Sequence, residues 1–300
     1  MTARDFLFLC AICFVWGLNI VVTRWVVADM AVPPIFFAAI RFLGVALVLI
    51  PFLRPIPKQI GILFLVSMFI GAGHFALLFT GLAGAEASAA AVTGQLGVPF
   101  STLMSIVFLS ERVGVRRALG IILAFVGVLI IAVDPSSFQV SVGLLYIVAS
   151  AFVGSVGGIL MKRMTPISAL QSQAWVGLFS FAPLFALSAF VETNTLSSYL
   201  SGGWLVWLAT AYAVLGVSAF AHGGFYVLIK RYDISLLSPL TLMTPIWGVV
   251  LSIILLGESL TWQLVIGSIV SLSGVLVIAA RQNRRLPEAA LGKKLGSGPS

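Results

Sequence analysis

The chain has 300 residues, 60% of them hydrophobic and only 9% charged, with a net charge of +8 and a mean hydropathy of +1.15. A soluble domain carries about 25% charged residues, so this chain cannot cover a water-facing surface, and lipid must be its main solvent. Its basic residues sit singly or in pairs between apolar runs, which excludes a nucleic-acid surface and marks them as topology signals.

The first apolar run, residues 6–27, follows a single Arg and exceeds the short apolar core of a signal peptide, so it reads as a retained membrane span. Cys10 and Cys13 lie inside it without further ligands nearby; buried thiols are expected, with no metal and no cofactor. Nine more runs have the roughly 20 apolar residues that a spanning helix requires: 34–53, 60–82, 87–109, 115–133, 141–161, 169–191, 204–229, 234–256 and 261–280. Long helical runs also satisfy their own backbone polar groups, as lipid demands. The connections are short and leave no room for a soluble domain. Residues 282–300 are polar and Gly/Ser/Lys-rich and are expected to be a disordered tail. The expected fold class is therefore all-α integral membrane, with ten transmembrane helices.

With the N-terminus placed in the cytoplasm, the inner segments hold 15 of the 17 basic residues. The outer ends hold Arg24 and the acidic residues Asp29, Glu86, Asp134, Glu192 and Glu258. Basic residues favour the cytoplasmic side, so both termini are expected there.

The chain also repeats itself. Glu111 and Glu258 are each followed by Gly nine and sixteen residues on (Gly120 and Gly127; Gly267 and Gly274), and then by Val-Leu-(Ile/Val)-Ile. Pro99 and Pro245 precede the two Glu at matching places, and His74 and His222 lie 148 residues apart, against 147 for the two Glu. Five spans duplicated means that the second copy is inverted. Two inverted five-helix repeats are expected, at 1–134 and 140–281, an architecture that binds substrate near the midplane and works by alternating access.

The run Phe14-Val15-Trp16-Gly17-Leu18-Asn19, the pair Arg41-Phe42 and the duplicated Glu-x8-Gly-x6-Gly-Val-Leu pattern resemble the EamA family of the drug/metabolite transporter superfamily, over roughly residues 6–280. The resemblance implies a cavity lined by spans 1, 3, 4, 6, 8 and 9, with spans 5 and 10 set aside. It also implies export of amino acids or related metabolites across the bacterial inner membrane, as by aromatic amino acid or cysteine-metabolite exporters. Gly154 and Gly157 stand where the first repeat has Trp16 and Asn19, so any site is asymmetric.

Polar groups inside a membrane are costly, so each is a candidate for function. The expected substrate-binding residues are Trp16, Asn19, His74, Gln95, His222, Tyr226, Met243 and Trp247, with Pro99 and Pro245 as gating hinges; helix packing or a bond to a neighbouring carbonyl is the competing role for each side chain. His222 is expected to share a polar face with Ser218 and Tyr226. Trp175 is expected to pack or to face lipid. Arg41 is expected to snorkel outward or to pair with a carboxylate such as Asp29, with recognition of a substrate carboxylate as the other reading. Glu111 and Glu258 are expected to bond the N-terminal amides of the span that follows each.

No Asp or Glu lies at depth, so carboxylate-based proton coupling is not expected. The expected function is alternating-access export of small neutral metabolites, most of all aromatic or other apolar amino acids, by facilitated diffusion through an aromatic-walled cavity. Proton antiport through His74 or His222 is the alternative. An intramembrane enzyme is a remote one: Gly216-x-Ser218 with His222 supplies both groups from one helix. The connecting loops are too short for a receptor or scaffold. The expected partners are the small-molecule substrate and the lipid bilayer, with no nucleic acid, and a monomer is anticipated.

Overall fold

The computed structural model describes residues 1–109, 114–133 and 140–280; the expected tail at 282–300 and Glu111 lie outside the described residues. Among the described residues, nine helices are long and apolar enough to cross a membrane. They are span 1 (Ala3–Asp29), span 3 (Ile60–Ala83), span 4 (Ala87–Phe108), span 5 (Val115–Ala132), span 6 (Val142–Lys162), span 7 (Ala169–Val191), span 8 (Gly203–Arg231), span 9 (Leu236–Leu256) and span 10 (Trp262–Ala280). A shorter apolar helix, Pro34–Val48, stands where the second span was expected and is labelled span 2. It was expected to run to residue 53. Instead it tightens into a 3-10 turn over Ile50–Leu53, because Pro51 has no N–H to donate to an α-helical bond.

Local chemistry sets several ends. The hydroxyls of Thr2, Ser141 and Ser168 accept the amides of Asp5, Leu144 and Gln171, which satisfies donors that a helix start otherwise leaves orphaned. Two further starts are capped from a distance. The Glu258 carboxylate accepts the amides of Ala87 (2.6 Å) and Ser88 (2.9 Å) at the start of span 4. Glu258 therefore caps span 4 and not span 10, the helix that follows it. Glu192 does the same for span 2, accepting the amides of Ile35 (2.8 Å) and Phe36 (2.9 Å). Span 2 begins with Pro33-Pro34 and has no side-chain cap of its own, so its free amides recruit the nearest carboxylate. Arg24 joins the same end of the molecule, donating to the Ala85 carbonyl at 2.8 Å and pairing with Asp29 at 3.0 Å.

The helices pack in pairs, span 5 on span 10, span 2 on span 7, span 1 on span 9 and span 3 on span 6. In the first pair the glycines face one another. A Cβ at Gly120 would stand 2.9 Å from the carbonyl oxygen of Gly274, and one at Gly274 would stand 2.5 Å from the Ala124 nitrogen. Only hydrogen in place of a side chain lets these backbones approach so closely. The opposite faces of the two helices expose Leu119, Ile122, Leu129, Ile266 and Ile269. In water such a surface would drive aggregation; here it is the lipid contact.

Spans 1, 3 and 8 are not regular throughout. Each contains a π-helical segment, Trp25–Asp29, Ser67–Gly73 and Tyr212–His222. Two of these segments end at or beside a histidine. Such wide turns are rare and concentrate at functional sites.

Candidate functional site

Span 4 passes from α-helix to a 3-10 turn over Gly94–Leu96 and back to α-helix at Gly97. This break lies immediately before Pro99, which cannot donate to the carbonyl of Gln95, four residues back. Span 9 breaks at Thr241–Leu242, between helices Ile234–Leu240 and Met243–Leu256. Thr241 stands four residues before Pro245, as Gln95 does before Pro99. A cavity of about 320 Å³ lies between these breaks, lined by Trp16, Gln95, Phe225, Ser238 and Thr241. Its walls come from spans 1, 4, 8 and 9. Ligand pockets start at roughly 300 Å³, so the space suits a small metabolite.

The walls combine the aromatic surface of Trp16 and Phe225 with the polar side chains of Gln95, Ser238 and Thr241. Trp16 sits with its ring centroid 5.2 Å from Phe225 and 5.4 Å from His222. Its Nε1 is buried without a hydrogen-bond partner, and so is Oδ1 of Asn19 one turn on. A buried donor or acceptor left unmade costs about 1–3 kcal/mol, so these atoms are poised for a ligand or ordered water.

The two histidines are anchored in the same way. Nδ1 of His222 donates to the Val217 carbonyl, five residues back, at 2.7 Å, a spacing that the π-helical turns create. Ser218 likewise donates to the Ala213 carbonyl at 3.2 Å. Nδ1 of His74 lies 2.9 Å from the Ser150 carbonyl and 2.8 Å from its hydroxyl, which in turn donates to the His74 carbonyl. Because carbonyls only accept, both imidazoles carry hydrogen on Nδ1 and leave Nε2 as the acceptor. His74 thus clamps span 3 to span 6.

The other expected site residues are placed as follows. Trp247 packs its ring on Phe14 of span 1 with centroids 5.3 Å apart. The Met243 sulfur is 3.7 Å from the Cys10 sulfur, and Met243 packs with Trp16 and Trp247 around buried Leu9, Ile12 and Cys13. Tyr226 lies below the polar face expected of it: its hydroxyl donates to the Ile167 carbonyl at 3.2 Å, and Lys230 stands over its ring. Trp175 is buried against Phe179, not lipid-facing.

Arg41 departs most from expectation. It neither snorkels nor pairs with Asp29, which is taken by Arg24. Its side chain is 2% exposed and Nε and Nη1 have no partner. The guanidinium instead lies over the Phe75 ring at 4.6 Å, with Phe42 and Phe79 each at 5.9 Å. Sequence reasoning also missed three cavity residues, Phe225, Ser238 and Thr241. The signal was present: Ser238-Pro239-x-Thr241 places two hydroxyls and a second proline inside an apolar span ahead of Pro245.

The described residues form a helical, multi-pass membrane bundle with a small cavity between spans 1, 4, 8 and 9. The EamA-like transporter family model matches residues 4–133 and again 141–280, and the chain belongs to that family. It is 27% identical to a "Probable amino-acid metabolite efflux pump" of Salmonella typhimurium over 287 residues, which cover 92% of this chain and 95% of that one. The Escherichia coli protein of the same description is 26% identical over 92% of this chain and 95% of its own length. An uncharacterized transporter of Archaeoglobus fulgidus is 25% identical over 89% and 95%. A solved crystal structure superposes with a TM-score of 0.61 over 99% of this chain and all of that one, at 18% identity, and so shares the fold.

Proposed function

We propose that this protein exports small metabolites, in the first place amino acids with apolar side chains, across the bacterial inner membrane by alternating access and without ion coupling. The observation that carries this reading is the cavity between the two proline-linked breaks. It has aromatic walls at Trp16 and Phe225 and polar groups at Gln95, Ser238 and Thr241. Aromatic and apolar walls with a few placed polar groups suit an amphipathic solute of amino-acid size. The description of the Salmonella and Escherichia coli relatives supports the substrate class.

The chain is read as two inverted five-helix repeats with both termini cytoplasmic. Matching of one family model to each half supports the duplication. Equivalent placement of Glu192 over span 2 and Glu258 over span 4, at the acidic end, supports a common frame. Phe225, Ser238 and Thr241 of the cavity wall lie near Lys230 and Arg231 in the chain, which supports reading the conformation as inward-facing. Trp16, Asn19, Gln95 and His222 form the substrate-binding group, with His74, Met243 and Trp247 behind it and Tyr226 at its rim. Pro99 and Pro245 are the hinges about which spans 4 and 9 tilt to close one end as the other opens.

The test is flux of labelled amino acids from proteoliposomes at equal internal and external pH. Saturable efflux with stimulated counterflow is expected. Flux that starts only when a pH gradient is imposed would replace this reading with proton antiport through His74 or His222. Linear, non-saturating flux would mean a pore.

A further inference from the structure

Arg41 is a full charge seven residues into span 2, held among the rings of Phe42, Phe75 and Phe79, with two of its nitrogens unpartnered. Among the described residues no carboxylate pairs with it. A buried ion left unpaired is strongly unfavourable, and ring faces return only part of that cost. A polar group kept at such expense marks a place where a partner arrives.

The surroundings place that partner on the transport path. The Phe75 ring under the guanidinium meets the His74 ring with centroids 4.9 Å apart, and span 2 packs against the Tyr212–His222 segment of span 8. His222 is in ring contact with Trp16 on the cavity wall, and the Tyr212 hydroxyl donates at 2.7 Å to the carbonyl of Val15, the residue before Trp16. Arg41 therefore lies on the helix that packs against the segment carrying His222, the residue in contact with Trp16 of the cavity wall. By helix rise it is roughly 10 Å from the Glu192 end of span 2.

We propose that Arg41 is the anion-recognition centre of the transporter: its guanidinium receives the carboxylate of the substrate when the substrate moves past Trp16 into the occluded state. The planar fork of Arg matches a carboxylate through two parallel N–H bonds. The substrate class is then carboxylate-bearing solutes, with amino acids as the zwitterionic case. This inference rests on the transport reading above and narrows it.

The experiment compares wild type, R41K and R41Q in proteoliposomes, using counterflow of labelled L-phenylalanine and L-leucine. The competitors are 3-phenylpropanoate, which keeps the carboxylate, and phenylalaninol, which lacks it. In wild type the carboxylate should compete about tenfold or more better than the alcohol. R41Q should abolish that preference and raise KM with a smaller change in maximal flux. R41K keeps the charge without the fork, so it should fold and retain only part of the preference. Equal competition in wild type, or undiminished preference in R41K, overturns the proposal while leaving transport intact. If wild type carries neither label, the transport reading fails, and thermal unfolding in detergent decides the anion site separately. Stabilisation by 3-phenylpropanoate but not by phenylalaninol, lost in R41K, sustains it; equal effects of the two compounds remove it.

Discussion

The Trp16 indole and the His222 imidazole meet with ring centroids 5.4 Å apart and planes inclined at 58°, joining span 1 to the π-helical segment of span 8. The imidazole has its Nδ1–H satisfied by the Val217 carbonyl, whereas the indole Nε1–H is buried without a partner. Trp16→Phe keeps the aromatic packing and deletes the unpaired donor. Counterflow KM should rise about 3- to 10-fold, the worth of one hydrogen bond, with unchanged protein yield. An unchanged KM would remove Trp16 Nε1 from the binding group.

Pro99 and Pro245 each stand four residues after a cavity residue, Gln95 and Thr241. Replacing either by Ala restores the missing N–H and favours a continuous helix. Turnover in P99A and P245A should fall about tenfold with KM nearly constant, since a hinge acts on the conformational step. A change in KM alone would assign these residues to binding instead.

At Gly127 a side chain would run into the backbone of Ser271 and the Gly267 carbonyl of span 10. Gly127→Val should therefore cost about 1–3 kcal/mol or more. The readout is an earlier unfolding transition and reduced recovery from detergent, with residual transport per folded molecule preserved because spans 5 and 10 do not line the cavity.

Glu192 accepts two amides of span 2 and the Ser188 hydroxyl, the last at 2.7 Å. Glu192→Gln retains size but loses the charge and half the acceptors. A loss of about 1–3 kcal/mol is expected for such a charge-assisted cap, measured by thermal unfolding. Glu258→Gln should behave alike, because the same geometry holds at span 4.

Glu86 lies outside the spans. Partial desolvation and then the neighbouring Glu258 carboxylate push its carboxyl up from the ordinary 4.5, while Arg24 pulls it down. A carboxyl whose value is raised on folding contributes stability in the protonated form, and that contribution is lost as pH climbs past 4.5 through the raised value. Glu86→Gln should thus unfold about 1–2 °C later than wild type near neutral pH. The gap should close toward pH 4. A gap that widened on acidification would reverse the assignment.

The spans were legible because lipid imposes a simple rule, about 20 apolar residues per crossing, and the expected runs match the helices within a few residues. The exception, span 2, ends early at a proline whose effect could be anticipated. The breaks before Pro99 and Pro245 were legible for the same reason: a missing N–H acts locally. The π-helical turns were not. Tyr212–His222 is ordinary apolar sequence with Ser and His, and the wide turns that tie His222 to Val217 occur where span 8 packs on spans 1 and 2. An α-helical periodicity therefore grouped Tyr226 with His222, whereas its hydroxyl reaches the loop before span 7.

The amino-acid sequence by itself determined that this is an all-helical, multi-pass membrane protein, which helices break at proline, and which polar residues lie within the apolar runs, since each follows from composition within one helix length. Only the tertiary structure decided the partners. Glu192 finds Ile35 across 157 residues of chain. Glu258 caps a helix far from its own, Asp29 pairs with Arg24, and Arg41 lies buried among phenylalanines. A carboxylate is drawn to whichever free amide or cation lies nearest after the helices have packed, and that distance is set by the whole bundle rather than by any local pattern.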